Sequence, residues 1–105
     1  VVDYASIDCD DATIDSLFHL PWGRTTFRVI TCETDVYRDA YRQKATRLLL
    51  HSLGYQMVCG NVVVEYPAGV FVEYEDWWCH PDLINPDLIT KYKSDGLLWK
   101  EILKR

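Results

Sequence analysis

The 105 residues contain five glycines, and no two of them form a G-x-G pair. A loop that would close backbone amides on a phosphate is therefore not encoded in this stretch. Cysteine is sparse and dispersed. Cys9, Cys32, Cys59 and Cys79 make no C-x-x-C pair, and His19, His51 and His80 share no ligand spacing, so zinc is not expected. Each cysteine sits in or beside an apolar strand-like run, which suits free, buried thiols in a reducing compartment. No apolar run approaches the ~20 residues of a membrane span, and no stretch reads as a signal peptide, so the expectation is a cytoplasmic protein without a membrane partner. Basic residues number 11 against 16 acidic ones, and this net charge of −5 argues against nucleic acid as a partner. The length bounds the chain to one domain or part of one.

What is present begins with residues 1–20, VVDYASIDCDDATIDSLFHL. Val1, Val2, Tyr4, Ala5 and Ile7 form a nearly continuous apolar run, as in a parallel strand covered on both faces. A chain that opens on such a strand is expected to be a piece of a larger domain, with an unpaired edge where its neighbours belong. Asp8, Asp10 and Asp11 crowd the strand's end. In open α/β sheets ligands bind beyond the carboxyl ends of the strands, which makes these acids candidates for chemistry. Thr13 is suited to cap a short helix whose apolar face is Ile14, Leu17 and Phe18, and Pro21 ends it. Residues 25–33, TTFRVITCE, read as a second strand, and strand, helix and strand in this spacing predict a right-handed parallel unit. Glu33 then arrives at the same edge as Asp8.

A long helix is predicted from residue 34 or 35 to 53, with Gly54 as its stop. Tyr37, Tyr41, Ala45, Leu48, Leu49 and Leu53 repeat at helical spacing and are expected to face the sheet, leaving Arg38, Arg42, Lys44 and Arg47 mostly on a solvated side. Residues 55–66 read as a third strand interrupted near Gly60 and Asn61, followed by a turn at Pro67-Ala68-Gly69 and a fourth strand over 70–79. The short connection predicts an antiparallel pair and hence a mixed sheet. Trp77 and Trp78, being adjacent on a strand, must point to opposite faces. Residues 81–105 open on a Pro-rich segment and end in an amphipathic helix around 97–103.

Four phrases along the chain, VDYASIDCDD, FRVITCE, LLLHSLGY and EDWWCHP, resemble in order and spacing the C-terminal half of the FkbM-type methyltransferase family. That resemblance implies an α/β, Rossmann-like class I methyltransferase sheet, of which this chain would hold the fourth to seventh strands. The seventh would run antiparallel between the fifth and sixth. It further implies residues 1–81 as the C-terminal half of a methyltransferase-like domain and 82–105 as an extension. The implied cofactor is S-adenosyl-L-methionine, whose glycine-rich loop is not in this stretch, and the implied activity is O-methyl transfer to a small-molecule or sugar hydroxyl, with the stretch inactive alone. Asp8 and Glu33 match the family pattern, whereas Asp10 and Asp11 stand where the family has Glu and Gly, and Thr13 replaces a further acid.

The catalytic candidates are thus Asp8, Asp10 and Glu33, with Asp8 also at the margin of the cofactor. Three roles stay open: a carboxylate that orients or deprotonates a hydroxyl, a divalent cation held by Asp8, Asp10 and Glu33, or Asp10 and Asp11 favouring the following helix terminus. The rival expectation is a non-catalytic α/β interaction module that self-associates, as a homodimer or aggregate, through the open sheet edge. A nucleotide-binding doubly wound domain is disfavoured by the missing phosphate loop.

Overall fold

A computed structural model describes residues 1–8, 13–34, 36 and 39–105. The expectations resting on Cys9, Asp10, Asp11, Asp35, Tyr37 and Arg38, and on the side chains of Thr13 and Ile14, lie outside the described residues. Along the chain run β1 (Val2–Ile7), α1 (Thr13–Phe18), β2 (Phe27–Glu33), α2 (Ala40–Ser52), β3 (Gln56–Glu65), β4 (Phe71–Cys79), α3 (Pro86–Tyr92), β5 (Ser94–Asp95) and α4 (Trp99–Leu103). The strands form one mixed sheet in the order β1-β2-β4-β3-β5. β1 and β2 are parallel, with Ile7 beside Cys32. β4 inserts between β2 and β3 and is antiparallel to both. An α/β sheet of this order fits a Rossmann-like fold.

The core is split by the sheet. On one face Leu17 of α1 and Leu50 of α2 pack with Ile7, Ile30, Cys32 and Trp78. On the other, Cys59 and Val62 of β3 pack with Ile102 of α4, and Trp77 joins this second cluster, so the adjacent tryptophans do divide between the faces. Cys32 is buried, and Cys59 and Cys79 are buried free thiols. Within residues 82–105, β5 adds a parallel strand to β3 through Cys59–Ser94 and Gly60–Asp95, and α4 packs on the second core with Ile102 at 1% exposure. Among the described residues no helix is long and apolar enough to cross a membrane.

Two expectations are corrected. β1 is not covered on both faces. It lies at the sheet edge, where Val2 and Tyr4 are exposed and only Ile7 is buried, because Leu17 of α1 packs on the face that carries Ile7 and Val2 and Tyr4 alternate onto the other face. The second correction concerns α2. It starts at Ala40, capped by the Asp39 side chain accepting from the Tyr41 amide at 3.0 Å, and it faces the sheet with Arg42, Thr46 and Leu50. Tyr41 and Leu48, expected inside, are 70% and 73% exposed. Arg42 is buried and Arg47 reaches inward, whereas Lys44 is exposed, so Arg42 and Arg47 depart from the expected solvated side. The physical reason lies beneath the helix, where the fully buried Asp76 of β4 requires a cationic partner.

The interruption expected at Gly60 and Asn61 is a β-bulge. Pairing of β3 with β4 steps from Cys59–Trp77 to Val62–Glu75, and Asn61 takes a positive φ of 50°. A second irregularity follows, where pairing steps from Val62–Glu75 to Val63–Glu73 and leaves Tyr74 as the extra residue on β4.

Candidate functional site

β1 and β2 end side by side, so Asp8 follows Ile7 at the same sheet edge to which Cys32 delivers Glu33. Asp8 is exposed and Glu33 is 8% exposed. The antiparallel ladder then sets Glu75 of β4 directly opposite Glu33. Directly opposed residues hold their Cβ atoms about 5 Å apart, and like charges so placed repel. The bulge at Tyr74 re-aims this part of β4, so that Tyr74 and Glu75, which would alternate on a regular strand, interact through their side chains. The Trp77 indole Nε1 donates to Glu75 Oε1 at 2.6 Å.

Burial pushes the Glu75 carboxyl above the ordinary carboxylate range. Hydrogen bonds from Trp77 and Tyr74 oppose that rise, whereas the negative charges of Asp8 and Asp76 add to it. The Tyr74 phenol is likewise pushed up, by burial first and then by the charge of Glu75. A carboxyl with a raised pKa beside further carboxylates is the arrangement that separates a proton-holding group from an ionised one. On the same side of β1 and β2, the Tyr4 hydroxyl and Thr31 Oγ1 lie 2.6 Å apart. The edge can therefore accept a proton, accept hydrogen bonds from a hydroxyl and attract a cation.

Of the three residues read from the sequence, Asp8 and Glu33 come together, and Asp10 lies outside the described residues. Among the described residues no group of three His, Cys, Asp or Glu side chains is arranged to hold a metal ion. Glu75, Tyr74 and Trp77 were not singled out from the sequence as site residues. The available signal was the antiparallel pairing itself, which brings the VEYEDWW segment alongside FRVITCE.

Behind the edge stands a polar network. Arg47 grips Asp76 with two hydrogen bonds, Nε to Oδ2 at 2.9 Å and Nη2 to Oδ1 at 3.0 Å, and Asp76 holds the guanidinium more firmly protonated. The Asn61 amide donates to Asp76 Oδ1 at 2.9 Å. Its side chain accepts from Gln43 Nε2 at 2.6 Å and donates to Asp95 Oδ1 at 2.9 Å. This network ties α2, the β3 bulge and β5 to the strand that carries Glu75. It supports the edge and does not belong to it.

A wide concavity lies elsewhere. A groove of about 730 Å³ runs beside the end of α2 and the start of β3, lined by Lys44, Arg47, His51, Met57 and Trp78. It sits at the amino end of β3, carries no carboxylate, and is remote in topology from the strand ends where Asp8 and Glu33 meet. The chemistry-bearing groups, not the size of the hollow, identify the candidate site. Comparison with protein-family models, with curated proteins and with solved structures finds no match for this chain.

Proposed function

We propose that this chain is the C-terminal portion of an S-adenosylmethionine-dependent methyltransferase that transfers a methyl group to a hydroxyl of a small molecule or sugar. The observation that carries the reading is the pair Asp8 and Glu33 at the ends of neighbouring parallel strands, with the antiparallel β4 bringing Glu75 against Glu33. The order β1-β2-β4-β3 supports it as well, being the order that the family resemblance implies.

Methyl transfer from a sulfonium is an in-line displacement, for which the protein aligns the acceptor hydroxyl and takes up its proton. The cofactor, when bound, supplies the electrophilic methyl group and a positive charge that an acidic edge attracts. Asp8, exposed at the strand end, is the residue of this chain that would border it. Glu33 and Glu75 accept hydrogen bonds from the acceptor hydroxyl, and the one of them that is ionised takes the proton. Trp77 fixes the rotamer of Glu75 by its 2.6 Å hydrogen bond. The glycine-rich loop that would hold most of the cofactor is not among these residues, so the reading requires it from sequence preceding Val1.

Calorimetric titration of S-adenosylmethionine into this chain, and into the gene product that includes any sequence encoded before Val1, tests the reading. Binding to the longer product, with methyl transfer reduced about 10²-fold or more by Asp8→Ala or Glu33→Ala, is the expected result. Absence of binding to both would remove the methyltransferase assignment.

A second reading rests on the open edge of β1. It treats the chain as a non-catalytic module that self-associates by strand pairing. The Val2 amide donates to the Thr26 carbonyl, so by alternation Asp3 and Ala5 direct their amides away from β2. Asp3→Pro removes one outward donor without breaking the β1–β2 ladder. Under this reading sedimentation across a concentration series shows a dimer for the unaltered chain and a shift toward monomer for Asp3→Pro. A monomer at every concentration would exclude it.

A further inference from the structure

We propose that the cavity between α3 and the sheet is a binding site for a small, uncharged aromatic molecule, a single ring or a fused pair. The cavity holds about 220 Å³ and lies on the sheet face opposite α2. Val29, Trp77 and Cys79 form its floor and Leu88, Ile89 and Tyr92 of α3 its roof, with Ile102 of α4 at one end. No charged or amide side chain lines it.

The lining presents almost no polar surface, and two of the polar groups near it are engaged. The Trp77 indole N–H is given to Glu75, and the Cys59 thiol donates to the Tyr92 carbonyl at 3.2 Å. Burial pushes the Cys79 thiol up, so that it stays neutral. Water requires two to four polar partners to occupy such a space, and this lining does not offer them. The hollow is partly open to solvent on the side of Leu88 and is not a sealed interior void. An apolar cavity of about 150 Å³ stays dry and takes up benzene. The present one exceeds that, yet falls below the roughly 300 Å³ at which drug-sized ligands are accommodated. The fit is therefore to one or two rings without charge. Leu88, 46% exposed on α3, forms the rim.

Trp77 is the shared wall between this cavity and the acidic edge. Its ring faces the ligand and its N–H holds Glu75, so occupancy is felt at Glu75. The proposal does not depend on the methyltransferase reading, because binding is measured without cofactor or turnover.

The test is titration of the full chain with toluene and, separately, with indole, followed by amide and methyl NMR shifts and by the thermal midpoint. Saturable one-to-one binding of either probe, with the largest shifts at Val29, Ile89, Ile102 and the Trp77 indole, is expected, together with a rise in the midpoint. Two filled variants complete the experiment. Val29→Phe occupies the floor, and Leu88→Trp, made at a half-exposed rim position, occupies the roof with less risk to folding. A folded filled variant is expected to bind at least tenfold more weakly. Absence of saturable shifts with both probes, or undiminished affinity in a folded filled variant, would overturn the proposal.

Discussion

Glu75 illustrates how one residue links folding to chemistry. Its carboxyl is pushed above the ordinary value of about 4.3 mainly by burial. A carboxyl with a raised folded-state pKa contributes stability below its unfolded value and loses that contribution as pH rises through the folded value. Glu75→Gln keeps an oxygen to accept from Trp77 and removes the charge. It is expected to match the parent near pH 4 and to exceed it in urea stability at pH 7 to 8. Equal stability across that range would show that Glu75 carries no such penalty. The Arg47–Asp76 pair predicts an asymmetry: Arg47→Met strands a fully buried carboxylate and is expected to cost about 3 kcal/mol, whereas Asp76→Asn leaves a partly exposed guanidinium that can turn to water and costs less. Denaturant midpoints of the two variants decide it. At this scale the sequence disclosed Asp8 and Glu33, because each stands at the end of an apolar run. It did not disclose Asp76, since an acid within a strand reads as solvent-facing until the strand is known to lie between two others.

At the scale of elements, α2 separates what periodicity can say from what it cannot. The apolar stripe Tyr41, Ala45 and Leu48 was legible, and so was the stop at Gly54, whose φ of +92° suits a residue without a side chain. Which stripe meets the sheet was not legible, because a helical repeat fixes the relative positions of side chains and not their partner. The buried charge on β4 turned the helix so that Arg42, Thr46 and Leu50 face inward. Leu50→Ala is therefore expected to cost about 3 kcal/mol, and Leu48→Glu less than about 0.5 kcal/mol. Thermal or urea unfolding of both distinguishes this orientation from its opposite. The strand interruption at Gly60 and Asn61 was also readable, although its form as a bulge depended on Asn61 finding Asp76 and Asp95.

At the scale of the whole molecule, the directions of the first four strands followed from connection lengths, since a helix between β1 and β2 and again between β2 and β3 gives parallel strands and a tight turn makes β4 antiparallel. The place of β4 between β2 and β3, by contrast, was implied only by the family resemblance. The short β5 escaped notice because two residues, Ser94 and Asp95, carry no periodic signal. Its consequence exceeds its length. β5 caps the middle of β3, Leu98 bridges Val63 just beyond, and the bulges bend what remains of that flank out of register with any incoming strand. The opposite flank, β1, is regular and uncapped among the described residues. The sheet thus has a valence of one. A strand that joined it, from this chain or another, would end the growth it began, and a sheet open at one flank only among the described residues offers no route to an endless fibre.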